Sequence, residues 1–469
     1  MPVFRPIYWP AIFSPLLLAA CASVTPIEPK APELPDHWQA DKEQQQSQTQ
    51  TPAQWWLEFN DPQLNELITK ALAQNYEMQA ELARLRQSQA GWDKAGSSQY
   101  PDLNLTMSRS RNWSESSTPG SGDTQINNQY SLGLTTSYEL DFWGSVAAQK
   151  EQGEFNYLAG AQSAQIRANT LAGQVATSWY GWRKEQKNLE LLAQQFERLS
   201  QALKLVKHRY LRGLVQVSDV WQQEQQLESL NSEMINARAA LKGYQQQLAL
   251  WLGQAEFEPG DAPLDHLPQL QNHHQALSSD VLLQRPDVQA AYFRLQAANA
   301  GLAVAAANRY PRFTISASYT GSDADIENVL DNWVANLAGG LVLPLIDGDN
   351  RRAEVRRNEA VVDEQLANYH NTLLSAVQEI EQAMIDEDKQ FSLTTSTQQQ
   401  LQLAQKTQRY QWKRYQKGVG DFLAFLTSQQ DVLRLERQQL SADFLILQNR
   451  IQLLKTISHQ PVLTTIKEG

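Results

Sequence analysis

The chain has 469 residues, a formal net charge of −11, 19% charged residues and a single cysteine. That length accommodates two or three ordinary domains. The acidic balance excludes a basic stripe for nucleic acid. No segment after the leader offers the roughly 18-residue apolar run of a spanning helix. A lone cysteine excludes an intrachain disulfide.

Residues 1–20, MPVFRPIYWPAIFSPLLLAA, read as a signal peptide. Arg5 supplies the positive n-region, and Ile7 to Leu18 form a short apolar stretch before small residues. Leu18-Ala19-Ala20-Cys21 resembles the bacterial lipobox, in which the cysteine becomes the lipidated first residue of the mature chain. The alternative is a signal peptide that contains cysteine incidentally. A covalent lipid on Cys21 is the expected anchor, and no other cofactor is expected. Acyl chains contribute about 0.8 kcal/mol per buried methylene, so several on one cysteine hold a protein firmly. Ala22 follows where an aspartate would signal retention at the inner membrane, so lipoprotein sorting points to the outer membrane. Residues 21–54, rich in Pro, Gln, Ser and Thr, read as the lipidated N-terminus and a flexible tether.

Two copies of one large unit follow, at 55–255 and 280–460, joined by a linker over 256–279 and trailed by a tail over 461–469. The first opens on WWLEFNDPQLNELI, where Asp61-Pro62 is a helix start with an aspartate cap and proline at the first helical position. The helix is expected to run to about Gln99, stopping before Tyr100-Pro101. A second helix, from about Asp280, stops before Tyr310-Pro311 in the same way. After each Tyr-Pro the apolar period becomes two. Leu103, Leu105 and Met107 alternate with polar residues, as do Phe313, Ile315, Ala317 and Tyr319. Strands are expected at about 101–113 and 129–143 in the first copy, and 311–320 and 333–347 in the second. Their polar loops span 114–128 and 321–332. Strands of about ten residues are long enough to cross a bilayer, yet four cannot close a barrel, which needs about eight. Either they form a small soluble sheet or several chains pool them.

Heptads dominate the remainder. Val175, Trp182, Leu189, Phe196, Leu203 and Tyr210 recur every seventh residue, as do Leu426, Leu433, Leu440, Leu447 and Leu454. Such strict repeats mean left-handed coiled-coil packing. A helix over 145–211 would be roughly 100 Å long. HRYLRGLVQVSDV (208–220) and KRYQKGVGDFLAF (413–425) sit where each long helix must reverse. Gly213 and Gly418 supply left-handed residues, and Ser218-Asp219 and Asp421 are candidate caps for the returning helices.

In this order, the lipobox, WWLEFNDPQLNELI, the two Tyr-Pro junctions, PLIDGDNRRAEV and the paired Arg-Tyr…Gly tips resemble a TolC-type outer-membrane efflux factor. The resemblance covers about 55–460 and is strongest to the lipoprotein (NodT-like) subgroup serving resistance–nodulation–division pumps. It implies a mainly α fold with a small β part, each copy being helix, strand, strand and long helical hairpin. It also implies a homotrimer, whose pooled strands form a 12-stranded β-barrel in the outer membrane above a periplasmic α-helical coiled-coil tunnel. The expected function is the exit duct of a tripartite efflux system, passing small toxic molecules from a periplasmic adaptor and an inner-membrane transporter to the outside. The implied contacts with the adaptor are the tip residues Gly213, Leu214, Val215, Gly418, Val419 and Gly420. The tips also hold the family's gate, in which the aspartate after the first tip bonds the tyrosine of the second, here Asp219 and Tyr415. Gly420 stands where a basic residue often joins that link. Ala424 and Thr427 stand where many members carry an acidic ring. Leu423 matches an apolar constriction residue, so the gate set is Asp219, Tyr415, Leu423 and Thr427. Coiled-coil core is the competing role for Leu423 and Tyr415.

His273-His274 lacks the three or four ligands of a zinc site. Arg351, Arg352, Arg356 and Arg357 read as a solvated or ion-paired helix face, and Asp347 as a turn or cap. No nucleophile–base pairing or phosphate loop supports an enzyme. A lipid-anchored periplasmic spacer or adhesin without a pore is the rival function. An apolar collar gates by dewetting, whereas a charged ring selects ion sign. Cation block of this pore is therefore expected to be weaker than in acidic-ring relatives, and tight closure by trivalent cations in single-channel recordings would contradict it.

Overall fold

The structure, a computed structural model, describes residues 54–115, 124–259, 267–270 and 280–458. The signal peptide, Cys21, nearly all of the tether, the centre of the first inter-strand loop, His273, His274 and the C-terminal tail lie outside the described residues. Helices are α1 (Pro62–Gln74), α2 (Tyr76–Ser97), α3 (Ser145–Leu211), α4 (Val217–Trp251), α5 (Asp280–Gln284), α6 (Pro286–Ala307), α7 (Asn350–Gln416) and α8 (Phe422–Ile457). Strands are β1 (Asp102–Glu115), β2 (Thr124–Leu140), β3 (Arg312–Asp323) and β4 (Trp333–Val342). Each copy is thus helix, strand, strand and long helical hairpin. No helix among the described residues is long and apolar enough to cross a membrane. The chain divides into two compact units.

The first unit holds the sheet with the helix ends around it, residues 91–155 and 295–365. Its four strands are all antiparallel in the order β1-β2-β3-β4, so β1 and β4 are both free edges. The register sorts the side chains cleanly. Leu103, Leu105 and Met107 of β1 pair with Thr136, Leu134 and Leu132 of β2. Leu134 and Tyr138 pair with Tyr319 and Ile315 of β3, whose Phe313 and Ala317 pair with Leu341 and Leu337 of β4. One face is therefore almost wholly apolar, and its large side chains are exposed: Leu103 by 71%, Met107 by 68% and Leu337 by 76%. The opposite face carries Asn104, Thr106, Ser108, Thr135, Ser137, Thr314, Ser316, Ser318 and Asn336. An apolar face left uncovered by the described residues and a polar face of short side chains is the alternation of a membrane barrel wall. β4 stops at Val342 rather than near 347, because Pro344 brings no N–H to a ladder. β1 and β2 reach farther into the first loop than period alone suggests, through pairs as late as Glu115 with Thr124.

Each copy turns from sheet to long helix on an aspartate and a left-handed glycine. Asp141 accepts from the Val146 and Ala147 amides at 3.0 and 2.8 Å, with Gly144 at φ +73°. Asp347 accepts from the Arg351 amide at 3.2 Å, with Gly348 at φ +64°. The arginines beyond it are ion-paired, Arg351 to Asp347, Arg352 and Arg356 to Asp349, and Arg357 to Glu354. Aromatic pairs gather below the sheet. Trp143 stacks on Tyr310 with centroids 4.7 Å apart and donates to the Pro311 carbonyl, while Phe142 meets Phe313 edge-on.

The second unit holds the main helical core. The sequence suggests one continuous helix before each Tyr-Pro, but both are broken near their starts. Asn75 is extended (ψ 127°), and its side chain accepts from the Met78 amide and donates to the Trp251 carbonyl at the end of α4. In the second copy the break falls at Arg285, before Pro286, and Arg285 donates to the Thr456 carbonyl near the end of α8. The two copies place different residues in one structural role, closing the C-terminal end of their own last helix. Arg285 also pairs with Asp287 and Glu379, each at 2.7 Å.

The 3-10 turn Trp55–Phe59 anchors the N-terminal end of this unit. Trp55, Trp56 and Phe59 are buried, Phe59 packing on Tyr180. Asp61 caps α1 through the Gln63 and Leu64 amides and accepts from Trp179 Nε1 (2.9 Å) and Arg183 (3.1 Å) of α3. Arg450 of α8 then joins the turn to α7, contacting Glu58 and the buried Glu387 at 2.5 Å each. Burial pushes the Glu387 carboxyl upward, against the pull of Arg450. Arg450→Met strands these carboxylates and is expected to cost about 3 kcal/mol or more. The urea midpoint of helical circular dichroism measures it. Adding Glu387→Leu and Glu58→Gln should recover most of the loss; a triple variant no more stable than the single one contradicts this assignment.

Candidate functional site

Within the second unit, both hairpin tips close by the same backbone device. Gly213 lies at φ +68° and Gly418 at +76°. At the first tip the Gly213 amide donates to the Tyr210 carbonyl and the Leu214 amide to that of Arg209. At the second, the Gly418 amide donates to the Tyr415 carbonyl and the Val419 amide to that of Arg414. This pair of bonds is the Schellman closure, which glycine permits because it lacks a Cβ. The returning helices start differently. Asp421 caps α8 through the Ala424 amide at 3.2 Å. The expected cap at Ser218-Asp219 is not made: α4 begins at Val217 after Gln216, and Asp219 lies inside the first turn, beside the Ser218 hydroxyl.

The side chains break the symmetry. Tyr210 is 43% exposed, whereas Tyr415 is 2% exposed inside a tip core of Val206, Val220, Phe422, Phe425 and Leu426. The Tyr415 ring is stacked 5.8 Å from Phe425, nearly parallel to it. Arg209, one residue before Tyr210, crosses to the other hairpin. Its guanidinium sits 4.3 Å above the Tyr415 ring and donates to the Tyr415 carbonyl at 2.7 Å. Its counterpart Arg414 stays home, donating to the Val419 carbonyl of its own tip.

The Asp219–Tyr415 bond implied by the resemblance is not formed in this chain. The Tyr415 hydroxyl is buried with no hydrogen-bond partner among the described residues, because its ring is turned into the aromatic stack beneath Arg209. Burial raises its pKa; Arg209 lowers it and Asp219 raises it by smaller amounts, so it remains a neutral phenol at physiological pH. Gly420 has a steric reason to lack a side chain. A Cβ there would come within 2.7 Å of the Tyr415 amide nitrogen and 2.8 Å of the Arg414 carbonyl carbon. The basic residue that the resemblance places at this position would therefore force the backbone to shift, and the cation beside Tyr415 here is Arg209 of the opposite hairpin.

The remaining site residues fall into two groups. Leu423, 59% exposed, and Thr427, one turn on, share an outward stripe of α8, with the Thr427 hydroxyl donating to the Leu423 carbonyl. Leu423 is therefore not part of the protomer's tip core, while Tyr415 is. Leu214 and Val419 are exposed at the two turns, and Val215 packs against the tip core. Arg209 was missed by sequence reasoning, although the shared Arg-Tyr pair of the two tips was the available signal.

A sequence profile described as outer membrane efflux protein matches residues 67–254 and again 277–458, one match per copy. The pyoverdine export outer membrane protein OpmQ of Pseudomonas aeruginosa is 28% identical over 443 residues, spanning 91% of this chain and 93% of its own. The probable outer membrane lipoprotein SilC of Salmonella typhimurium is 23% identical, spanning 94% of this chain and 96% of its own. The crystal structure of the Campylobacter jejuni CmeC outer membrane channel superposes with a TM-score of 0.83 at 20% identity, covering 95% of this chain and 97% of that one. With both copies matched and the fold shared, the chain belongs to the outer membrane efflux protein family and is an outer-membrane efflux channel protein.

Proposed function

We propose that the chain works as a homotrimer, the exit duct of a tripartite pump, taking small toxic molecules from a periplasmic adaptor and an inner-membrane transporter. The observation that carries this reading is the sheet: four strands, two open edges, one lipid-compatible face and one polar face. Three copies joined β4 to β1 give a twelve-stranded barrel with no edge, the condition for crossing a bilayer. The polar face then lines the lumen, and the inter-strand loops face the exterior. A lipid on Cys21 anchors each N-terminus, and Leu214, Val215 and Val419 with the tip glycines meet the adaptor. The family is one of ducts, so no catalytic residue is assigned. Purified in detergent, the protein should have the mass of three chains and conduct in planar bilayers. A monomer without conductance overturns the proposal.

The gate lies at the tips, where Leu423 and Thr427 project from the protomer and Arg209 ties the two hairpins together through Tyr415. A cation–π contact and a hydrogen bond across this joint together contribute about 1.5 kcal/mol, worth roughly tenfold in an open-to-closed ratio. Arg209→Met is expected to raise the open fraction by about that factor, and Arg414→Met to leave it unchanged. Gly420→Arg, which restores a basic residue, should displace Tyr415 and open the gate as well. Tighter closure in that variant would contradict the steric account.

A further inference from the structure

On the membrane face of the sheet, the end nearest the inter-strand loops differs from the end nearest the helices. Above Leu103, Leu105 and Met107, β1 continues on the same face with Arg109, Arg111 and Trp113. The Arg109 guanidinium lies 5.2 Å over the ring of Tyr130, its partner on β2, and that of Arg111 lies 5.5 Å over Trp113. Both arginines are exposed, and neither makes an ion pair or hydrogen bond among the described residues. The same face also carries Glu115, farther along β1, and Asp323, which is engaged by the Asp325 amide and Asn332. At the helix end the face shows no cation, only Leu140, Phe313 and Leu341 in one row.

The height of these groups decides what they meet. From Tyr130 to Leu140, β2 rises roughly 34 Å along the strand, or about 26 Å after the usual strand tilt, which matches the apolar band of an outer-membrane barrel. Arg109 pairs with Tyr130 and so sits at the upper rim of that band. A guanidinium facing lipid is strongly disfavoured at the midplane and tolerated at the rim. Two guanidinia seated over aromatic rings, without an ion pair among the described residues and at headgroup depth, are complementary to a phosphate, which arginine grips bidentately.

We propose that Arg109 and Arg111, seated on Tyr130 and Trp113, bind the phosphate of an anionic lipid headgroup in the outward leaflet. This rests on the barrel reading above, since the loops must face outward and β1 must face lipid. Its role is to fix the barrel's depth and to attract a phosphorylated lipid to the strand where neighbouring copies meet.

The test uses the full-length protein in nanodiscs of three compositions: phosphatidylcholine alone, phosphatidylcholine with bisphosphorylated lipid A, and phosphatidylcholine with that lipid stripped of its phosphates. Native mass spectrometry after release counts the retained glycolipid. The expected result is retention of the phosphorylated form over the dephosphorylated one by roughly tenfold, lost in Arg109→Gln/Arg111→Gln and only partly kept in Arg109→Lys/Arg111→Lys, which retains the charge without the bidentate, ring-stacked fork. Equal retention of both forms, or undiminished preference in the glutamine variant, overturns the proposal. Conductance of the same preparations keeps the two readings apart: a conducting trimer without lipid preference removes this inference alone, and a non-conducting monomer removes the barrel on which it stands.

Discussion

Everything in this structure turns on two rows of unpaired backbone groups. The sheet has four strands, and the outer edges of β1 and β4 offer N–H and C=O groups that no other strand among the described residues satisfies. In water such edges invite aggregation; in lipid each unpaired group costs several kcal/mol. The face that carries Leu103, Met107 and Leu337 is equally unsuited to water. On the proposed reading such a sheet becomes stable when copies pair edge to edge inside a membrane, so that assembly follows from hydrogen-bond accounting rather than from a specific contact.

Duplication supplies the rest economically. The two copies share backbone devices: an aspartate and left-handed glycine where sheet becomes helix, a Schellman turn at each tip, and a broken first helix that closes the copy's last one. The side chain that closes the last helix has diverged, Asn75 against Arg285, whereas the tips keep the same arginine, Arg209 and Arg414, in different contacts. At the tips one arginine crosses between hairpins and the other does not. Two quasi-equivalent hairpins thus differ at the joint between them, where the proposed gate lies.

Much of this was legible in the sequence because it rests on local rules. Period-two alternation located the first strand of each copy and the polar stretch after it placed the second, heptads located the long helices, and Gly213 and Gly418 marked the reversals. What escaped depended on partners distant in sequence. The break at Asn75 is held by a carbonyl at Trp251, and no local pattern announces it. The break at Arg285 was missed although Pro286 was the available signal, since the residue before proline avoids helical geometry. The absence of an Asp219–Tyr415 bond follows from the aromatic packing of Trp412, Phe422 and Phe425 around Tyr415. The steric need for Gly420 is visible only once the Arg414–Tyr415 backbone is placed against it.

Edge-to-edge closure is the central claim, and cysteine cross-linking along the two edges tests it most directly. With Cys21 replaced by serine, single cysteines would be placed along β1 and along β4 in one chain and oxidised in isolated membranes. The account predicts that some β1–β4 pairs link neighbouring chains, giving a ladder on non-reducing gels that ends at three. A ladder ending at two, one running on past three, or no β1–β4 cross-link at any register would contradict it.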